Sequence, residues 1–240
     1  MTIANTLYAG LLQATEACSA EDKADRAKNW LARCQQIITR PASCSDDLQH
    51  SVEHHFAIAQ RRLAGLPSLP AKTLDTLRGA GVIAPQQWSI GDFGRALILL
   101  HALSLRPSVE YLRFVTRLYR RGDNTEQQAI LRSLILLPEP QRWVSIAAEG
   151  CRSNVAIVFE AIACDNAYPE RFLCELNFNQ LVLKALFTGT SIRRIAGLNK
   201  RLTPTLKRMV ADYASERRAA KRQVSDDLNF LLRGIEHENV

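Results

Sequence analysis

The sequence predicts an all-α protein, folded as an irregular helical bundle or as a HEAT-like α-solenoid of short antiparallel helices. Apolar residues recur with the 3.6-residue period of an α-helix along the whole chain, and no segment alternates apolar and polar residues for long enough to predict a strand. Breaks that contain proline or glycine separate the apolar stripes, and short helices joined in this way pack as antiparallel neighbours. No strict repeat is present, so regular stacking does not follow from the sequence.

The helical segments can be taken in chain order from their apolar stripes. The second stripe lies between Pro107 and Gly122, which are the residue types expected at a helix start and just past a helix end. Breaks at residues 138–140 and 165–169 end the third and fourth stripes. Further helices are predicted over residues 172–187 and around Met209. The four stripes consist of Trp30, Leu31, Cys34, Ile37 and Ile38; Tyr111, Phe114, Val115, Leu118 and Tyr119; Ile130, Leu134 and Leu137; and Val155, Val158, Phe159 and Ile162.

Length and composition are those of a folded protein with a sizeable core. The 240 residues are 47% hydrophobic and 23% charged, which disfavours disorder. We expect an N-terminal helical portion, residues 1–85, packed on a second region, residues 86–240, in one continuous domain. The N-terminus does not resemble a signal peptide and no apolar stretch approaches the roughly 20 residues of a membrane span, so a cytoplasmic location is predicted. Six cysteines without a CxxC pair indicate small buried side chains rather than disulfides.

The positive charge is concentrated near the C-terminus. Residues 193–222 contain ten Lys or Arg against Asp212 and Glu216, a balance of +8 in a chain whose net charge is +7, so the other residues sum to −1. Such a segment suits an anionic partner, whether a phosphate-bearing ligand, a membrane surface, an acidic protein or a nucleic acid. A solvated helix face is the alternative interpretation.

Polar residues also recur inside helices that are otherwise apolar, namely Asn154, Glu160, Asn179, Gln180, Lys184 and Glu216. On a helix over residues 172–187, Asn177, Gln180 and Lys184 fall within about 60° of one another and form one stripe. Because the rest of this helix is apolar, we expect it to be buried, with Gln180 and Lys184 facing a packed neighbour or a pocket. Glu160 or Glu216 could then neutralise Lys184. The set is either an internal network or a binding pocket, and the sequence leaves both open.

One short pattern suggests a metal site. His50, Glu53 and His54 match H-x-x-E-H, in which two histidines one helical turn apart bind zinc. The pattern is five residues long and has no third protein ligand in a known context, so no metal is predicted and these three residues are the only candidates. Phosphate-loop, dinucleotide-binding and nucleophile-elbow motifs are absent from the sequence, and no cofactor is predicted.

The same C-terminal residues resemble the EboA-domain family. The resemblance rests on NVAIVFEAIACDNAYP, NQLVLKALF and IAGLNKRLTPTLKRMVADYASERRAAKR, with WSIGDFGRALILL as an earlier match. Three positions depart from the family pattern, since Ala167 replaces a usual proline, Arg218 a tryptophan and Lys221 a glycine. The motif positions are Arg152, Asn154, Glu160, Asn166, Asn179, Gln180, Lys184, Gly197, Leu198, Arg201, Asp212, Tyr213, Glu216, Arg217 and Arg222.

The resemblance implies a role in traffic of secondary metabolites toward the cell envelope. Members of this family are encoded in bacterial and algal gene clusters, beside a prenyltransferase-like membrane protein, a sugar-phosphate-cyclase-like enzyme and a hydrolase-like protein. No reaction is assigned to the family itself. We therefore expect a non-catalytic accessory protein for a cyclitol- or prenyl-type metabolite, with proteins of the same cluster or an anionic small molecule as partners, acting in the cytoplasm and associating with the inner face of the membrane.

Two alternatives remain open at this point. The first is an enzyme that uses Glu160, Lys184 and Glu216 as a general acid/base set around a pocket. The second is a nucleic-acid-binding helical repeat protein, which is disfavoured because Tyr213 is the only aromatic residue in the basic segment. The candidate binding residues are Arg152, Asn154, Glu160, Asn179, Gln180, Lys184, Arg201, Tyr213, Glu216, Arg217 and Arg222.

Overall fold

A computed structural model describes the backbone of residues 2–39 and 45–237 and the side chains of residues 2–36 and 49–232. Within these residues every regular element is a helix, which confirms the all-α prediction. The HEAT-like stacking stays a prediction. The α-helices are α1 (Ile3–Glu16), α2 (Glu21–Thr39), α3 (Ser45–Leu63), α4 (Ala71–Gly79), α5 (Ile90–Ser104), α6 (Tyr111–Arg121), α7 (Asn124–Ser133), α8 (Val144–Arg152), α9 (Ala156–Ala163), α10 (Tyr168–Phe172), α11 (Glu175–Thr188), α12 (Pro204–Ala219) and α13 (Asp226–His237).

The chain groups into two compact units, Met1–Ile146 and Ala147–Val240. Within the first unit, α5 packs against α1, α2 and α3. The predicted boundary near residue 85 stays a prediction. Folding of the whole chain as one continuous domain stays a prediction.

In the first unit, α5 is the central helix. Its N-terminus is fixed by a capping box in which Ser89 and Asp92 bind each other's main-chain N–H groups. The same carboxylate is buried and accepts a 2.6 Å bond from Arg132 of α7. Arg95 is also buried, and its guanidinium donates to the main-chain oxygen of Phe56 in α3. The buried side chains of Asp92 and Arg95 thus connect α5 to α7 and α3 through hydrogen bonds.

Most residues of the predicted stripes are buried, but Val155 is 39% exposed, and Leu134 and Leu137 lie beyond the end of α7. Trp30, Leu31 and Cys34 are buried in α2, whereas Ile37 and Ile38 lie outside the described side chains. The second stripe is the buried face of α6, although a short 3₁₀ helix, Ser108–Glu110, separates Pro107 from its first residue.

Five of the six cysteines lie among the described side chains, and all five are free. Cys34, Cys151 and Cys164 are buried, as predicted, but Cys174 is exposed. Among the described helices, none is long and apolar enough to cross a membrane.

In the second unit, polar side chains fix the turns between short helices. Asn166 donates to the main-chain oxygen of Ala161 in α9 and accepts from the N–H of Tyr168, so it closes the turn into α10. Arg201 donates to the main-chain oxygens of Glu170 and Leu173 at the other end of α10. These two family-motif residues therefore stabilise the path of the chain around α10.

Candidate functional site

A groove open to solvent lies between α8, α11 and α12 in the second unit. Its volume is about 480 Å³, within the range of about 300–1,000 Å³ that is usual for small-molecule sites. Apolar atoms form most of its wall. We call it the α11 groove; it is lined by Ala148, Cys151, Arg152, Asn154, Asn177, Gln180, Leu181, Leu183, Lys184, Phe187 and Tyr213.

The polar stripe of α11 faces this groove. Asn177, Gln180 and Lys184 all line it, so the predicted stripe is real and opens to a pocket. The prediction that α11 is buried nearly all round is wrong, however, because Gln180 is exposed, and Leu176 and Phe187 are 61% and 71% exposed. Both apolar residues lie on the same side of the helix as Gln180, and a periodicity argument cannot distinguish a packed side from an open one.

Lys184 is held by the main chain rather than by a carboxylate. Its ammonium donates to the main-chain oxygen of Ser153 at 2.6 Å and lies 5.0 Å from the ring centre of Phe159. Ser153 directly follows α8, and the C-terminal end of a helix attracts cations. Partial burial lowers the pKa of this ammonium. The predicted pairing with Glu160 or Glu216 is therefore wrong.

Arg152 ends α8 and contributes the second cation of the groove. Its side chain is exposed and makes no hydrogen bond or ion pair with any described residue. No carboxylate is among the groove's lining residues, so both charges at this end of the groove are positive. The neighbouring Cys151 is a weak candidate nucleophile, because burial raises the pKa of its thiol to about 12.

Tyr213 reaches the groove from α12 and is positioned by Arg217. The guanidinium of Arg217 donates to the Tyr213 hydroxyl at 3.2 Å and to the main-chain oxygen of Gln223 at 2.7 Å. A tyrosine hydroxyl that accepts one bond still has its own hydrogen to donate. Together with Asn154 and the α11 carboxamides, the groove therefore presents hydrogen-bond donors to a ligand.

Glu160 lies outside the α11 groove and belongs to a separate ion-pair cluster. Arg194 binds its carboxylate at 3.1 Å and the carboxylate of Asp165 at 2.8 Å. The N–H of Asp165 also donates to the main-chain oxygen of Arg194. This cluster connects α9 to the segment before α12, and it gives Glu160 a structural partner that the sequence did not indicate.

The remaining candidates also lie outside the groove. Asn179 is 2% exposed, and its Oδ1 has no hydrogen-bond partner among the described residues. Arg201 stacks over Phe178, 4.6 Å from the ring centre, while its donors bind α10. Glu216 is exposed on α12, and Arg222 is exposed just after it. The groove therefore contains five of the eleven candidates, Arg152, Asn154, Gln180, Lys184 and Tyr213.

The proposed acid/base set is not assembled in this structure. Lys184 lines the groove, but neither Glu160 nor Glu216 does. The basic segment also differs from expectation, because many of its cations have internal partners. Arg193 pairs with Asp227, Lys200 pairs with Glu170, and Arg194, Arg201 and Arg217 are engaged as described above.

A second cluster of positive charge lies on α6, which the overall charge count did not reveal. Residues 106–121 contain five arginines and one acid, Glu110, a balance of +4. Arg113, Arg117 and Arg121 are exposed, and Glu53 of α3 pairs with the last two. Positive charge is therefore not confined to the last helices.

Glu53 is also the centre of the H-x-x-E-H candidate. Its carboxylate accepts from Gln49 and pairs with two arginines, while His54 packs edge-on against His55. Among the described residues no group of three or more His, Cys, Asp or Glu side chains is placed to hold a metal ion.

Sequence reasoning missed the apolar part of the groove. Leu183 and Phe187 lie three and seven residues after Gln180, so they share its side of α11, and the helical period could have identified them. Ala148, Cys151 and Leu181 carry no signal of their own, because small and apolar residues at buried positions look the same wherever they pack.

The second unit thus combines an all-helical fold with a groove whose charged lining residues are both cations. A family model described as "Metabolite traffic protein EboA" matches residues 19–233. The chain therefore belongs to the EboA family, as the sequence resemblance indicated. No curated protein and no solved structure matches the chain.

Proposed function

We propose that this protein is a non-catalytic accessory protein of metabolite traffic that binds an anionic metabolite in the α11 groove. The family supplies the traffic role. The charges and lining of the groove indicate the class of ligand. The observation on which the proposal rests is the position of the Arg152 guanidinium. This group faces a pocket of ligand size and has no partner among the described residues.

Three further features support an anionic ligand. Lys184 adds a second positive charge close to Arg152, with only one of its three donors bound to Ser153. The lining contains no carboxylate that would repel an anion. Arginine presents a planar fork of donors that matches phosphate and carboxylate oxygens, and such charge-assisted bonds are stronger than neutral ones.

Isothermal titration calorimetry with phenyl phosphate as the probe ligand tests the proposal. We expect Arg152→Gln to weaken binding about tenfold or more, because a hydrogen bond to a charged group contributes about 1.5–3 kcal/mol. Arg218→Gln is the matched control, because it removes the same charge from an exposed position of α12 outside the groove. Failure of phenyl phosphate to bind, or equal losses in both variants, would contradict the proposal.

The enzyme alternative has less support. A general acid/base mechanism needs titratable groups around the substrate, and the groove offers Lys184, Tyr213 and a thiol of raised pKa. Without a carboxylate or histidine in its lining, the groove is better suited to binding than to proton transfer. If the protein turned over a candidate metabolite and the Lys184→Met variant lost that activity with its fold intact, the result would support the enzyme interpretation.

The finer assignments stay predictions. They comprise the cyclitol or prenyl nature of the metabolite, a prenyltransferase-like membrane protein as partner, and a cytoplasmic location at the inner face of the membrane. Recovery of that membrane protein with the tagged chain from a native host, and its loss in Arg152→Gln, would support the partner assignment.

A further inference from the structure

Resting on the proposed function, we infer that the ligand of the α11 groove is an amphiphile, with an anionic head at Arg152 and Lys184 and an apolar chain along Leu183 and Phe187. The ligand class is thereby narrowed from any anionic metabolite to one that also carries a hydrocarbon portion. A polar anion such as a cyclitol phosphate is the competing class.

Phe187 is largely exposed, at 71%, although its ring forms part of the groove wall. Contact with water is unfavourable for apolar surface, and here the exposed ring continues an apolar groove wall, as in the contiguous apolar patches that mark ligand or partner sites. A purely polar ligand would leave the ring exposed, whereas a hydrocarbon chain would cover it.

Polar and apolar lining residues are interspersed along α11. Leu183 and Phe187 are one turn apart on the same side of the helix, and Lys184 lies between them in sequence. The axial rise from Lys184 to Phe187 is about 4.5 Å. A head group bound near Lys184 therefore places the next few carbon atoms of a chain beside these two side chains. Leu181 and Cys151, both buried, continue the apolar wall.

The size of the groove also favours an amphiphile. The groove, at about 480 Å³, is far larger than a phosphate or carboxylate group requires. Most of its wall is apolar. Its charges come from Arg152, the last residue of α8, and from Lys184 of α11, whose ammonium binds Ser153 just after α8. A volume of this kind favours a ligand that combines one charged group with a substantial apolar body.

The test is a series of alkyl phosphates, butyl, hexyl and octyl, titrated below their micelle concentrations, with inositol 1-phosphate and octyl glucoside as polar and neutral comparisons. We expect affinity to rise about twofold to fourfold per added methylene, because a buried methylene contributes up to about 0.8 kcal/mol. Octyl phosphate is expected to bind more tightly than either comparison ligand.

Phe187→Ser is expected to flatten the dependence on chain length, weakening the binding of octyl phosphate more than that of butyl phosphate. Leu176→Ser is the matched control, since Leu176 is an exposed apolar residue of the same helix that does not line the groove. Equal binding of butyl and octyl phosphate, or preference for inositol 1-phosphate, overturns the inference but leaves an anion site in place. Absence of binding by every phosphate overturns the proposed function as well.

Discussion

Arg201 Nη1 lies 2.7 Å from the main-chain oxygen of Glu170, and the second terminal nitrogen, Nη2, lies 2.9 Å from that of Leu173. The guanidinium thus satisfies carbonyl groups at the end of α10 that have no helical partner. Arg201 is a candidate binding residue by sequence, but in the structure it is a residue that stabilises the fold.

Arg201→Gln is therefore expected to lower the free energy of unfolding by about 2–3 kcal/mol, because charged donors to buried carbonyls are lost. Urea denaturation measures this change. Arg208→Gln, at an exposed position of α12 without a described partner, is expected to change stability by no more than about 0.5 kcal/mol. Equal effects of the two substitutions would show that the contacts with α10 do not stabilise the fold.

Gly197 is required for two separate reasons. Its φ of +69° is in the left-handed region, and an added Cβ would overlap the side chain of Glu170. Gly189 has a similar φ of +76°, but no atom lies within 4 Å of the position of its Cβ. A comparison of alanine substitutions at the two glycines therefore distinguishes the cost of backbone strain from the cost of steric overlap.

Gly189→Ala is expected to cost about 1 kcal/mol, the usual penalty for a left-handed alanine. Gly197→Ala should cost at least about 1 kcal/mol more, because overpacking adds to that strain. Thermal or urea denaturation of the two variants gives the difference directly. Indistinguishable stabilities would mean that Glu170 moves aside freely.

Lys221 occupies the glycine position of a Schellman motif at the end of α12. Its φ is +53°, its N–H donates to the Arg218 oxygen at 3.0 Å, and the N–H of Arg222 donates to the Arg217 oxygen at 2.8 Å. This geometry favours glycine at the position, so lysine is strained there.

Lys221→Gly is expected to raise the free energy of unfolding by about 1 kcal/mol, because glycine adopts positive φ without the penalty of a Cβ. Lys221→Ala removes the same charge but keeps the Cβ, and should give no such gain. If both variants are stabilised equally in urea denaturation, the effect is electrostatic and the strain argument is wrong.

His101 is half-buried in α5, and its Nδ1 is buried without a hydrogen-bond partner among the described residues. Burial lowers the pKa of this imidazole, so the unfolded chain takes up the proton more readily than the folded one. The stability contributed by neutral His101 is thus present above about pH 6.5 and is lost as the pH falls below it.

The free energy of unfolding is expected to fall between pH 7.5 and pH 5.5, and to fall less in His101→Leu. His55, whose pKa is also lowered by burial, continues to contribute in that variant. Urea denaturation at the two pH values measures both differences. An identical fall in the two proteins would exclude His101 as a source of the pH dependence.

Helical periodicity was sufficient to predict the helices and the shared stripe of Asn177, Gln180 and Lys184. It was not sufficient to predict what each polar residue contacts. Lys184 and Arg201 bind main-chain oxygens, which every residue possesses and which therefore leave no trace in the sequence. The partner of Glu160 is Arg194, 34 residues away, and only the fold brings that pair together.

The exposure of α11 could not be predicted for a related reason. Leu176, Leu183 and Phe187 are of the residue types that usually pack into a core, so a helix rich in them indicates burial. The structure leaves one side of that helix uncovered, and this difference from expectation locates the groove.

A crystal structure of the protein with octyl phosphate tests the central claim most directly. The account predicts the phosphate within hydrogen-bonding distance of the Arg152 guanidinium and the Lys184 ammonium, with the alkyl chain against Leu183 and Phe187. A phosphate bound elsewhere, for example in the separate pocket lined by Arg193, Lys200 and Phe230, with the α11 groove lacking the ligand, would contradict it.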